Sequence, residues 1–240
     1  MRLDKFISDC GIASRRECSV AAKKGQITLN GAKVKDASVH INPDCDEVIY
    51  LGRRVEYKRY VYVMLNKPEG YVSATEDKHI PVVTALLSEE LQKRELFPVG
   101  RLDRDTVGLM ILTDDGWLAH SLLAPKRHVS KDYRFSCAEP MAKGAEERFA
   151  GNITLADGYE CKSARLVCDS DRMGGVITLT EGKYHQIKRM VAATGNRVTS
   201  LERISFAGIP LDEGLKRGEW RYLTEEECKR LISLLPPRND

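Results

Sequence analysis

Leu3, Phe6, Ile7 and Cys10 recur at the i, i+3, i+4, i+7 spacing of one helix face, and Gly11 closes that short helix. Ser14 is placed to cap a second helix, with Glu17 in the capping-box position, running through Val20, Ala21 and Ala22 to a stop at Gly25. Residues 26–29 and 32–35 then flank Asn30-Gly31. A type I′ turn needs positive φ at both central positions, which this pair tolerates, so a hairpin is predicted. The following segment from Arg53 to Tyr60 is polar, basic and without period. It predicts a linker, making residues 1–58 a small N-terminal domain with its linker and residues 59–240 a larger second domain.

In the larger part, short β-branched or alternating runs predict strands at 61–65, 109–113, 133–138, 164–168, 176–179 and 203–206. Helices are predicted at 117–123 after Asp115-Gly116, at 185–194, and near the C-terminus, where Thr224 and Glu227 form a second capping box before Pro236-Pro237. With no internal repeat, the pattern is α+β with a mixed or mainly antiparallel sheet.

Composition narrows the class. Hydrophobic residues make up 42% and charged residues 30%, which excludes a wholly disordered or fibrous chain. Stretches free of charge, such as 116–125, reach about ten residues against the roughly 20 of a spanning helix. Asp4 and Asp9 interrupt any secretory apolar region, so a cytoplasmic protein without a membrane partner is expected. Seven cysteines form no C-x-x-C pair and no zinc spacing, which predicts reduced thiols and no metal site. A monomer is the default, since neither a heptad seam nor an apolar patch is evident.

Charge is uneven. The net +3 arises from the first 60 residues, where 12 basic side chains face 8 acidic ones. Residues 1–35 carry eight basic side chains, among them Arg15, Arg16, Lys23 and Lys24, against three acidic ones. Such a field attracts phosphate backbones, although a charge run also serves as a plain solvated face.

Two segments read as loops feeding chemistry. In residues 97–116, Arg101, Asp103, Arg104, Asp105 and Thr106 precede an apolar strand, and Asp103 lies between two arginines that would hold its carboxylate ionised if either is close in space. A turn with surface ion pairs fits the same string. In residues 181–190 a glycine-containing turn enters a helix bearing His185, Lys188 and Arg189, which suits RNA phosphate or solvent equally.

The strings R-L-D-K-F-I (2–7), A-S-R-R-E (13–17) and G-x-I-x-L-N-G (25–31) resemble the S4 (alpha-L) RNA-binding module. Four further motifs occur in order: L-N-K-P-x-G-Y-V-S (65–73), G-R-L-D-x-x-T-x-G-L-x-x-L-T-x-D-G (100–116), S-K-x-Y (130–133) and E-G-K-Y-H-Q-I-K-R-M (181–190). Together they resemble the RsuA-type pseudouridine synthases over nearly the whole chain. The resemblance implies a small α/β S4 domain followed by a catalytic domain with a mixed, mainly antiparallel sheet and a central cleft.

It also implies a reaction, the isomerisation of uridine to pseudouridine without cofactor or metal. Asp103 would be the essential carboxylate, Lys188 its cationic partner where the wider superfamily more often has Arg, and Tyr133 the ring that stacks on the target uracil with Ile187 packed against it. From the residues alone, Tyr133 reads first as a strand aromatic pointing into the core. Arg101, Lys67 and Lys131 would contact RNA near the cleft, with Lys67 alternatively ordering the K-P-x-G turn. His185 and Gln186 would support the cleft. Arg15, Arg16, Lys23 and Lys24 would grip RNA backbone. The motif at 184–190 is closest to the small-subunit subgroup, so the expected partner is 16S rRNA or a small-subunit assembly intermediate, modified at uridine 516. The alternatives are a 23S rRNA site and a non-catalytic S4-type ribosome-assembly protein.

Overall fold

A computed structural model describes residues 1–43, 45–55 and 59–237. The chain divides into two compact units, Met1–Val61 with Leu87–Leu96, and Tyr62–Leu86 with Phe97–Asp240.

In the first unit, α1 (Leu3–Asp9) and α2 (Arg15–Lys23) pack over four short strands, β1 (Ile27–Leu29), β2 (Ala32–Lys33), β3 (Val48–Tyr50) and β4 (Arg53–Arg54), in the order β2-β1-β3-β4. Leu3, Phe6, Ile7 and Cys10 are all buried, as their helical spacing predicts. The Ser14 hydroxyl accepts from the Glu17 N–H while the Glu17 carboxylate accepts from the Ser14 N–H, so both ends of the capping box form. Cys18, Ala21 and Ala22 face the core, whereas Val20 is exposed. Asn30 (φ 50°) and Gly31 (φ 80°) make the predicted turn.

The linker reading needs correction at Arg53–Arg54. These residues pair with β3 through a second two-residue turn, Leu51 (φ 49°) and Gly52 (φ 78°). A leucine in left-handed backbone carries no turn signature, which hides the strand. The remainder of the linker reading at 56–58 lies outside the described residues. A short helix, α3 (Glu89–Gln92), capped by Ser88 and anchored by buried Leu91, completes this unit.

The second unit is built on β5 (Tyr62–Lys67), β6 (Phe97–Pro98), β7 (Val107–Thr113), β8 (Lys131–Cys137), β9 (Arg165–Cys168), β10 (Gly174–Leu179), β11 (Val198–Phe206), β12 (Ile209–Pro210) and β13 (Trp220–Tyr222). Its main path runs β13-β5-β7-β11-β8-β10-β9. Of the strand pairs among the described residues, only β7 with β11 is parallel, which makes the sheet mixed and mainly antiparallel and the class α+β. The helices are α4 (Gly116–Leu123), α5 (Ala145–Ala150), α6 (Gln186–Ala193) and α7 (Glu225–Ser233). Asp115 caps α4, and the Thr224–Glu227 box caps α7.

Strand β7 is buried along most of its length, and Met64, Leu109, Ile111, Leu118, Phe206 and Leu231 share one core cluster with it. The parallel approach is close. A Cβ on Gly108 would stand 2.3 Å from the Arg203 carbonyl oxygen, so only glycine fits. Arg203 is itself 1% exposed, donating from Nε to the Leu109 carbonyl (2.7 Å) with its guanidinium 5.1 Å from the centre of the Phe206 ring. None of the seven cysteines is joined in a disulfide bond. Among the described residues no helix is long and apolar enough to cross a membrane.

Candidate active site

The loop before β7 is held from beneath by the end of β5 and the turn after it. Lys67, 0% exposed, donates to the carbonyls of Pro68 (3.2 Å), Arg104 (3.2 Å) and Thr106 (2.8 Å). Its expected role as an RNA contact is therefore corrected: an ammonium enclosed by three backbone oxygens fixes the loop and does not reach a ligand. Burial pushes it down to about 8, against the opposing charges of Asp105 and Asp103. Ser73 accepts from the Leu102 N–H (2.9 Å) and donates to the Leu102 carbonyl (2.7 Å), while the Gly70 N–H reaches the Arg104 carbonyl. Backbone on both sides of Asp103 is thus pinned, which fixes the direction of its side chain.

The cation facing Asp103 comes from α6. Lys188 Nζ lies 3.2 Å from Asp103 Oδ2 and 2.6 Å from Asp105 Oδ1. Among the described residues neither Arg101 nor Arg104 pairs with Asp103, so proximity in sequence does not supply the expected cation. Burial alone would lower the Lys188 pKa, but hydrogen bonding to Asp105 and the Asp103 charge outweigh it and hold the ammonium above its ordinary value. Burial likewise pushes the Asp105 carboxyl up, and Lys188 more than reverses it. His185, the N-cap of α6 with left-handed backbone (φ 49°), brings Nε2 to 3.6 Å from Asp103 Oδ1.

Asp103 and His185 open on a cleft of about 90 Å³, smaller than the roughly 300–1,000 Å³ of drug-sized ligand sites. Tyr133, Ile187 and Leu201 supply apolar walls, Arg101 and Asp103 lie along one side, and the 181–187 segment forms the other. Tyr133 is 9% exposed at the centre of β8, opposite Ile177 and Arg203 in the flanking strands. It is both a strand aromatic and a cleft wall, so its two sequence readings are compatible. Glu181 ties the second wall together, accepting from Gln186 Nε2, the Tyr159 hydroxyl (3.0 Å) and the Lys162 N–H (2.9 Å).

The other expected RNA-facing residues lie as follows. Lys131 is half-buried, donating to the Val129 carbonyl (3.0 Å), and burial with the Arg203 charge pushes it down to about 8. In the first unit, Arg15 shares Asp4 with Arg2, whereas Arg16, Lys23 and Lys24 are exposed and form no ion pair among the described residues. Sequence reasoning misses the roles of Ser73, Asp105 and Glu181. Ser73 lies within a motif string and Asp105 within the D-R-D run, but only the fold shows what each touches. Among the described residues, no group of three or more His, Cys, Asp or Glu is arranged to hold a metal ion.

A carboxylate–ammonium pair in an aromatic-walled cleft of a mixed sheet is equipment for acid–base or covalent chemistry on a flat ligand. Residues 61–193 match the RNA pseudouridylate synthase family, to which the chain belongs, and residues 1–48 match the S4 domain. It is an isomerase that makes pseudouridine in RNA. Among its relatives, ribosomal small subunit pseudouridine synthase A of Vibrio vulnificus is 39% identical over 95% of this chain and 97% of its own. The Escherichia coli (strain K12) protein of that name is 37% identical over 97% and 100%. A crystal structure of a pseudouridylate synthase superposes with a TM-score of 0.68 at 36% identity, covering 96% of this chain and 99% of that one.

Proposed function

We propose that this enzyme isomerises one uridine of 16S rRNA, expected at position 516, with Asp103 as the essential carboxylate. The observation that carries the chemical part is the Lys188 ammonium 3.2 Å from Asp103, the carboxylate that lines the cleft walled by Tyr133 and Ile187. The substrate rests on near-full-length similarity to relatives named for the small ribosomal subunit.

In the reaction the N1–C1′ bond breaks, the uracil turns, C5 bonds to C1′, and the C5 proton leaves as N1 gains one. The base must first leave its stack, which costs a few kcal/mol and least in unpaired RNA. Two routes use the same carboxylate: Asp103 adds covalently to the nucleoside, or it abstracts a ribose proton to give a glycal. Each requires an ionised carboxylate, beside which Lys188 supplies a point charge in place of a planar guanidinium fork. Tyr133 stacks on the extruded uracil and takes part in removing the C5 proton, with Ile187 against its ring. Arg101 contacts RNA beside the vacated stack. Arg16, Lys23 and Lys24 hold the RNA backbone from the S4 unit, reading duplex shape more than sequence.

The test is tritium release from small- and large-subunit rRNA transcripts labelled at uridine C5, with wild type and Asp103→Asn, followed by mapping of the modified site. Release from small-subunit RNA by wild type alone supports the reading. Release only from large-subunit RNA overturns the substrate, and turnover by Asp103→Asn overturns the catalytic assignment.

A further inference from the structure

Tyr184 is the most exposed large apolar side chain among the described residues, at 75%. The other exposed apolar side chains include Leu51, Val167 and Ile232, and exposure of that scattered kind needs no explanation. Tyr184 differs in its place. One face of its ring stacks on His185, with centroids 3.8 Å apart and planes 18° from parallel, and that imidazole reaches 3.6 Å from Asp103. An unbroken series of groups therefore leads from the carboxylate lining the cleft, through an imidazole, to an aromatic ring open to solvent.

The ring is also preorganised. Lys183 donates its N–H to the Gln186 side chain (2.8 Å), and Gln186 is buried and bonded to Glu181. The Tyr184 carbonyl accepts from Arg189, which is itself paired with Asp157. A backbone braced on both sides presents a ring whose exposure is built in, so a ligand stacking on it loses little freedom by ordering the protein.

We infer that the solvent-facing side of Tyr184 is a stacking subsite for an unpaired nucleobase of the RNA strand, adjacent to the uridine drawn into the cleft. The inference rests on the substrate being an RNA whose target base is flipped toward Asp103. Flipping breaks the stack on both sides of the vacated position, and an aromatic ring at the rim replaces one missing neighbour. Every base has a π face, so the subsite favours an unpaired flanking nucleotide without demanding a particular one.

The experiment uses full-length protein and an RNA that wild type is shown to modify, with 2-aminopurine placed in turn on either side of the mapped uridine. Tyr184→Ala is expected to raise KM about tenfold, within the range of base–aromatic stacking, while kcat stays within twofold. Quenching of 2-aminopurine at one flanking position is expected with wild type and absent with Tyr184→Ala. Tyr184→Phe keeps the ring and restores both. Unchanged KM and unchanged quenching in Tyr184→Ala overturn the inference. So does a Tyr184→Phe variant as impaired as Tyr184→Ala, which would assign the effect to the hydroxyl. So does a fall in kcat at constant KM, which would make Tyr184 a support for His185. If wild type modifies a large-subunit RNA instead, the substrate proposal fails while the same comparison on that RNA still decides the role of Tyr184.

Discussion

The Lys188 ammonium stands 3.2 Å from the Asp103 carboxylate and is shared with Asp105 at 2.6 Å. Removing its charge with Lys188→Met is expected to lower kcat roughly 10²–10³-fold, the scale of losing one preorganised electrostatic partner. Lys188→Arg, which keeps the charge, is expected to retain most of the turnover. Asp105→Asn leaves the pair with Asp103 but removes a carboxylate that raises the Lys188 pKa, so the alkaline limb of the kcat profile should move to lower pH. Single-turnover tritium release across pH checks all three, and near-normal kcat in Lys188→Met would show that the cation is dispensable.

Lys67→Met keeps the apolar stem and removes a donor from the carbonyls of Pro68, Arg104 and Thr106, of which Arg104 retains the Gly70 N–H. A loss of about 2–3 kcal/mol is expected, since each buried polar group left unpaired costs roughly 1–3 kcal/mol. In a chain of this size that corresponds to a Tm lower by roughly 5–10 °C. Because the same carbonyls border Asp103, kcat should fall as well while the affinity for RNA is kept. Thermal melts and filter binding separate the two effects.

A pH effect is expected away from the cleft. The Arg172 fork, 2.9 and 2.8 Å from the two Glu146 oxygens, holds that carboxyl down to about 2 against an ordinary value of 4.5. Because the folded pKa is depressed, the stabilisation is complete above about 4.5 and fades as pH falls toward 2. Glu146→Gln should therefore melt at a lower temperature than wild type at pH 7, and the difference should close by pH 2. A gap independent of pH would rule out the ion pair as its source.

Replacing Arg16, Lys23 and Lys24 together by alanine is expected to weaken RNA binding without changing kcat at saturating RNA. The slope of log affinity against log salt should fall by about one unit for each phosphate that the variant no longer neutralises. An unchanged slope would show that these exposed charges are only solvated.

Signals are legible in the sequence wherever the chemistry is local. Both capping boxes and the Asn30-Gly31 turn depend on residues a few positions apart, and each forms as the spacing predicts. Strand β11 extends back to Val198, well before the predicted start, because V-T-S-L-E-R shows no apolar run and its order comes from β8 on one side and β7 on the other. The grouping of Leu87–Leu96 with the N-terminal unit has no trace in composition either. At the site, resemblance points to Asp103, Tyr133, Ile187 and Lys188, which the fold gathers around one cleft. For Lys67 the sequence leaves two readings, RNA contact or ordering of the K-P-x-G turn, and the fold favours the second through the Pro68 carbonyl, with burial that depends on carbonyls nearly forty positions away.

The parallel pairing of β7 with β11 governs when during synthesis the site can exist. Asp103 precedes β7 and Lys188 precedes β11, and parallel neighbours cannot be joined by a hairpin; here β8 to β10 and α6 intervene before Glu202 and Arg203 align with Val107 and Gly108. A chain emerging from its N-terminus first displays the S4 unit and the Asp103 loop early. It contains Lys188 before it has the strand that docks beside β7. On the proposed roles of Asp103 and Lys188, a chain that stops short of Phe206 is expected to bind RNA without turning it over.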